Sequence, residues 1–135
     1  MKKLYIVALI CLIGAAALFS FIYFSSEKAN RASGAETISY NFQVRPILSD
    51  KCYACHGPDA NKREAGLRLD IEKEAYKALK DNPKAHAIVP GKPDESEMIR
   101  RLTLTDPDER MPHHEDPLSE TEIKLLRQWI REGAK

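Results

Sequence analysis

Two thiols set three positions apart and followed at once by an imidazole, Cys52-Tyr53-Ala54-Cys55-His56, are the residues of this chain best suited to chemistry. On a short helix, each thiol can add across a vinyl group on one edge of a porphyrin. The adjacent imidazole can then turn beneath the ring and bind its iron. Cys-x-x-Cys-His is the pattern of covalent haem attachment. Three other uses of these residues compete. A thioredoxin-like dithiol wants a preceding strand and a βαβ setting, and neither is visible. A structural zinc site needs a fourth ligand, for which His86, His113 and His114 are available at unremarkable spacing. A plain disulfide is the third.

A haem held by His56 leaves a sixth iron position to fill. Met111 lies in Asp108-Glu109-Arg110-Met111-Pro112, an irregular polar stretch with no helical face to pack, so its thioether reads as a ligand. Met98 recurs at helical spacing with Ile99 and Leu102 and reads as core. His113 and His114 stand close enough to Met111 to keep bis-histidine ligation open. A thioether ligand holds the potential above that of a bis-histidine site. His56 should donate its other ring N–H to a carbonyl or side chain. Arg100, Arg101 and Arg110 are candidates to meet the haem propionates, Arg110 above all through its nearness to Met111.

The elements that must position these groups are mostly helical. Val44, Ile47, Leu48 and Cys52 share one face of a helix that Asn41 can cap, and Pro46 fits only its first turn. Gly57-Pro58 ends that helix. Leu67 and Leu69 alternate too briefly to define a strand, and 71–79 reads as a weak helix. After the turn at Pro90-Gly91-Lys92-Pro93, Asp94 and Glu97 form a capping-box pattern before Met98, Ile99 and Leu102. Prolines at 107, 112 and 117 exclude regular structure there. Ser119 and Glu122 open the clearest helix, whose apolar stripe of Ile123, Leu126, Trp129 and Ile130 runs to Gly133. Trp129 is expected to lock this helix against the one bearing Val44 and Ile47. The expected class is therefore all-α, short helices gathered around one haem, preceded by an N-terminal transmembrane helix.

That transmembrane reading comes from Lys2 and Lys3 followed by an uncharged run from Leu4 to Phe24. As a helix this run measures about 31 Å, close to the roughly 30 Å of a bilayer core. No small-x-small cleavage site follows Phe24, and Ala15-Ala16-Ala17 sits mid-stretch, so an uncleaved anchor is preferred over a signal peptide. Both readings export the rest of the chain. Ile10 before Cys11 argues against lipidation. The chain divides into an anchor or uncleaved signal at 1–24, a polar tether at 25–39 and a monohaem domain at 40–135. Beyond Phe24 it carries 19 Lys and Arg against 20 Asp and Glu, with no basic stripe for nucleic acid. Two cysteines are too few for a disulfide scaffold. The expected location is the cell membrane, single-pass, with the C-terminal domain on the periplasmic or extracytoplasmic side.

The run from Val44-Arg45-Pro46-Ile47-Leu48-Ser49-Asp50-Lys51-Cys52 through Cys55-His56-Gly57-Pro58-Asp59 resembles the planctomycete-type cytochrome c domain. The likeness continues through Lys62 to Asp70, Ile88 to Ser96, Arg110-Met111-Pro112 and Leu118 to Ala134. The resemblance implies haem c attached through Cys52 and Cys55, with His56 proximal and Met111 distal. It also implies the all-α cytochrome c arrangement, with first and last helices packed together. The chain departs from the pattern at His113-His114, where members often continue with prolines. Members are often joined to larger enzymatic or binding domains, for which the 40–135 domain leaves no room, so any catalytic partner is expected to be a separate protein. The expected function is one-electron transfer between a redox protein donor and acceptor, both membrane-associated. The alternatives are a small haem peroxidase and a gas-binding sensor, and each needs a displaceable sixth ligand.

Overall fold

Pro46 has no N–H to donate, and the chain around it departs from a regular helix. In the computed structural model, which describes residues 37–135 together with Phe19 and Ser20, Tyr40–Val44 form a π-helical turn. It closes with the Arg45 N–H donating to the Tyr40 carbonyl and runs directly into α1, Arg45–Lys51, where Pro46 occupies the first turn. Asn41 lies inside this turn and does not cap it. The boundary residue is Ser39, whose N–H is taken by Gln43 Oε1 at 2.8 Å. After a break at Cys52 (φ −127°), α2 spans Tyr53–His56. Val44 and Leu48 are fully buried on the inner side of this stretch.

The last helix, α5 (Glu120–Arg131), forms as its pattern predicts. Ser119 Oγ accepts from the Glu122 N–H at 3.3 Å and Glu122 Oε2 accepts from the Ser119 N–H at 2.8 Å. Leu126, Trp129 and Ile130 are buried. The Trp129 ring meets Tyr40 at 5.8 Å between centroids, joining the first and last helical segments, and its Nε1 donates to the Lys135 carbonyl at 3.0 Å. Gly133, at φ 103°, turns the chain so that the Ala134 N–H returns to the Trp129 carbonyl at 2.9 Å. The turn at Gly91 docks on the same helix end, donating to the Ile130 carbonyl at 2.7 Å.

Between these helices the all-α expectation fails. The weak helix read over 71–79 is the single turn α3, Glu72–Ala75, after which Ala78–Leu79 (β1) pairs antiparallel with Asn82–His86 (β2). The fold is thus mixed, helices plus a two-stranded sheet. Tyr76 explains where the helix stops. Its hydroxyl is bonded to the Ala134 carbonyl, and its own carbonyl faces His86 Nδ1 at 2.9 Å across the reversing chain. Pro83 is tolerated because both strands of a two-stranded sheet are edges.

A 3₁₀ turn at Pro93–Glu95 precedes α4, Glu97–Leu102, and the N-cap residue is Ser96 rather than Asp94. Ser96 is almost fully buried, its Oγ donating to the Lys92 carbonyl and accepting from the Val89 N–H, both at 2.9 Å. Asp94 instead pairs with Arg127 on α5.

The expected N-terminal transmembrane helix is also corrected. Among the described residues no helix is long and apolar enough to cross a membrane. The run assigned to it, Cys11 included, lies outside the described residues except for Phe19 and Ser20, which are helical. Residues 37–135 form a unit of their own.

Candidate haem site

The thiol–imidazole motif is held from behind by the loop that comes after it. A helix ends with carbonyls that have no partner within the helix, and here the last two of α2 and the two that follow them each find one downstream of the motif. The Cys55 carbonyl accepts from the Glu64 N–H at 2.8 Å and the His56 carbonyl from the Leu69 N–H at 2.8 Å. Arg63 supplies the other two, with Nε donating to the Gly57 carbonyl at 3.1 Å and Nη2 to that of Pro58 at 2.9 Å. Gly57 permits this return at close quarters. A Cβ there would stand 2.3 Å from the Tyr53 carbonyl oxygen, so the requirement is for space and not for a left-handed backbone. The Tyr53 hydroxyl is in turn 3.0 Å from that of Tyr40, tying the motif to the α5 contact.

In front of the motif lies a cavity of about 380 Å³ whose walls include Cys52, His56, Leu67, Leu69, Met98 and Met111. Leu67 and Leu69 belong to the loop bonded to His56, so the same segment that fastens the His56 backbone also lines the space beside it. Leu79 and Ala85 bring the small sheet to the cavity, and Leu102 brings α4. Three of the four residues singled out by sequence thus share one apolar space. Cys55 is exposed and outside the lining, at the surface end of the same helical turn, and both Cys52 and Cys55 are free thiols. The rings of His113 and His114 lie 3.7 Å apart between centroids, tilted by 44°, and neither lines this cavity. Among the described residues no group of three or more His, Cys, Asp or Glu is arranged to hold a metal ion, which removes the zinc reading there. His86 is occupied with Tyr76.

Met98 departs from expectation. It is half-buried and forms part of the cavity wall as well as packing against the core. Helical spacing identifies an apolar face without saying whether that face meets side chains or a cofactor. Of the three arginines, Arg100 and Arg101 line the cavity. Arg110 points to a separate shallow pocket with Lys51 and His114 and donates to the Glu115 carbonyl at 3.1 Å.

The electrostatics suit a neutral apolar guest with a metal. Burial pushes the Cys52 thiol up to about 12, with Glu115 adding to the effect, so this sulfur is a protonated thiol at neutral pH. Burial likewise lowers the His56 pKa, opposed by the Glu64 backbone carbonyl, which favours the neutral imidazole that a metal requires. The Nδ1 atom of His56 is buried and lacks a hydrogen-bond partner. A buried imidazole nitrogen normally has one, and its absence beside an apolar cavity bearing a thiol and a thioether fits a haem better than a closed core. At the rim, Glu97 is bound by both Arg100 and Arg101, and the Arg100 pair foremost holds its carboxyl below the usual range.

Residues 52–115 match the family model described as Planctomycete cytochrome C. This segment is similar to that family. The match opens on Cys52 and closes just beyond Met111, so it spans the motif, the loop behind it and the opposite cavity wall. It is narrower than the 40–134 over which the resemblance of the sequence extends. No curated protein matches the chain, and no solved structure does. The similarity points to the c-type cytochromes, whose cofactor is haem c. The planctomycete cytochrome match is thus consistent with the cavity's chemistry, reached separately from the residues around it. Arg63 and the close approach at Gly57 carry no signal in a single sequence. An arginine seven residues beyond a haem motif reads as an ordinary surface charge until its two carbonyl partners are seen.

Proposed function

We propose that this domain is a one-electron carrier working outside the cytoplasm, with a single haem c attached through Cys52 and Cys55, His56 as proximal ligand and Met111 as distal ligand. The observation that carries the reading is the shared cavity: Cys52, His56 and Met111 line one apolar space, and the His56 Nδ1 there is buried without a partner. Bound haem c would supply an iron that accepts and releases one electron. The chain's residues do the rest. Cys52 and Cys55 fix the ring edge, and the exposed position of Cys55 leaves that edge near solvent. The loop bonded to the His56 carbonyl holds the backbone that carries the imidazole in place. The leucines exclude water, and a drier, less polar surrounding favours the reduced iron by disfavouring extra positive charge. A thioether in the sixth position acts in the same direction.

The electron donor and acceptor are proposed to be separate redox proteins that approach the cavity mouth on the extracytoplasmic side, where c-type haem is attached. The test is the visible spectrum and intact mass of protein made with haem-attachment machinery present. The expected mass exceeds that of the polypeptide by one haem, and the oxidised spectrum carries the far-red band of methionine-ligated iron. A mass equal to the amino acids alone would overturn the reading. A haem-loaded protein without the far-red band would favour the peroxidase or gas-binding alternative, and survival of the band in Met111→Ala would exclude Met111 as the ligand.

A further inference from the structure

We propose that Arg101 is the positioning residue for Met111, holding its loop against α4 so that the thioether stays turned toward His56; this rests on the distal-ligand reading of Met111. Met111 belongs to a stretch without regular structure, yet two bonds to one residue fasten it. The Met111 N–H donates to the Arg101 carbonyl at 3.1 Å, occupying a C-terminal carbonyl of α4 that the helix leaves unpaired. The Arg101 side chain reaches over the same loop and donates from Nη1 to the Glu109 carbonyl at 3.0 Å. The chain is thus gripped on both sides of Arg110. Glu97 sets the direction of the reach, accepting from Arg101 Nε at 3.1 Å. Its carboxylate is only 22% exposed and is also held by Arg100. A planar guanidinium can satisfy Glu97 and Glu109 together because its donors point in fixed, different directions, which a lysine ammonium cannot reproduce.

Arg100 supplies the internal control. It shares Glu97 with Arg101 and also lines the cavity, but no bond links it to the loop. Losing its charge therefore disturbs the same carboxylate while sparing the fastening.

The experiment titrates exogenous imidazole into the oxidised, haem-loaded full chain and monitors loss of the far-red methionine band. In wild type, imidazole must displace a thioether held in place. In Arg101→Met the backbone bond to Met111 remains but the side-chain bond to Glu109 is lost, so the loop opens more readily. Half-displacement is expected at about fivefold to tenfold lower imidazole, the scale of one charge-assisted hydrogen bond near the surface. Arg101→Lys should fall between, and Arg100→Met should shift the titration less than Arg101→Met. Amide exchange at Met111 should quicken in Arg101→Met alone. Equal titrations for Arg101→Met and wild type would overturn the proposal while leaving the ligand reading intact. Equal shifts in Arg100→Met and Arg101→Met would also overturn it, since general loosening would then explain both. A wild-type spectrum without the methionine band would overturn the ligand reading and this proposal with it.

Discussion

Replacing Gly57 with alanine should damage this domain more than its size suggests. The added Cβ would stand 2.3 Å from the Tyr53 carbonyl oxygen, 2.8 Å from the Tyr53 Cβ and 2.9 Å from its Cα. Comfortable contact between such atoms is about 3.5 Å or more, so the chain must retreat by about 1 Å. None of the three atoms lies at the end of a flexible side chain, so the backbone itself must move. Movement of Gly57 loosens the Arg63 bond to its carbonyl and the neighbouring bond from Leu69 to His56, 3.1 and 2.8 Å long. Overpacking costs about 1–3 kcal/mol and each weakened bond up to about 1 kcal/mol, which together suggest a loss of about 3 kcal/mol. With a urea dependence of about 1–2 kcal/mol per M for a domain of this size, the midpoint should fall by about 1.5–3 M. Gly66 provides the contrast. Nothing lies within 4 Å of a Cβ there, but its φ is 65°, so Gly66→Ala carries backbone strain of about 1 kcal/mol without any clash. Urea unfolding of the haem-loaded variants, monitored by far-UV circular dichroism, compares the two. Should Gly57→Ala unfold at the same urea concentration as Gly66→Ala, the close approach to Tyr53 is not what shapes this turn.

Ser119→Ala removes the cap of α5 and should lower stability by about 1 kcal/mol, read as a melting temperature lower by roughly 4–8 °C for a domain of about 100 residues; an unchanged melting curve would refute it. Glu97 has a folded pKa depressed chiefly by Arg100, so its contribution is present above the unfolded carboxylate value and is lost as pH falls through the folded one. Glu97→Gln should therefore match wild type in strongly acidic solution and be less stable by under about 1 kcal/mol near neutrality, and a stability gap that persists at low pH would contradict this sign. Cys52→Ser with Cys55→Ser should abolish haem staining after denaturing electrophoresis, and a stained band from the double variant would defeat the attachment reading.

The sequence was legible where one residue pattern has one physical solution. Ser119 with Glu122 can close a capping box only at a helix start, and the stripe through Trp129 can be buried only on one side, so α5 formed as read. Cys52, His56 and Met111 were singled out by residue type, and the structure brings all three to one cavity, where Met111 also packs against the core. The sheet was hidden because Lys80-Asp81-Asn82-Pro83-Lys84 shows no alternation. Those strands are set by tertiary bonds, from Tyr76 to Ala134 and from His86 to Tyr76, that no local window contains. Asp94 matched a cap on spacing, but Pro93 began a 3₁₀ turn, and Ser96 takes the N-cap position with its hydroxyl bonded back to Val89 and Lys92. Met98, Leu67 and Leu69 were recognisably apolar, yet apolarity does not separate a core from the wall of a cofactor cavity.

That last ambiguity has a thermodynamic side, because the cavity ties the fold to its cofactor. Three of the buried apolar residues among those described are alanines and only Trp129 is aromatic, so the core has little reserve. Against it stands a cavity of about 380 Å³. At about 24 cal/mol per Å³, leaving such a volume empty costs up to roughly 9 kcal/mol, an upper bound because water can enter from the mouth. Whole domains are stable by only about 5–15 kcal/mol. An apolar guest restores the missing contacts to the leucines of the 57–69 loop, to the sheet through Leu79 and to α4 through Leu102, three segments with few other reasons to converge. The proposed haem would therefore also complete the packing around this cavity, and the polypeptide without it should hold α5 and its Tyr40 contact better than the loop, sheet and Met111 segment that face the cavity.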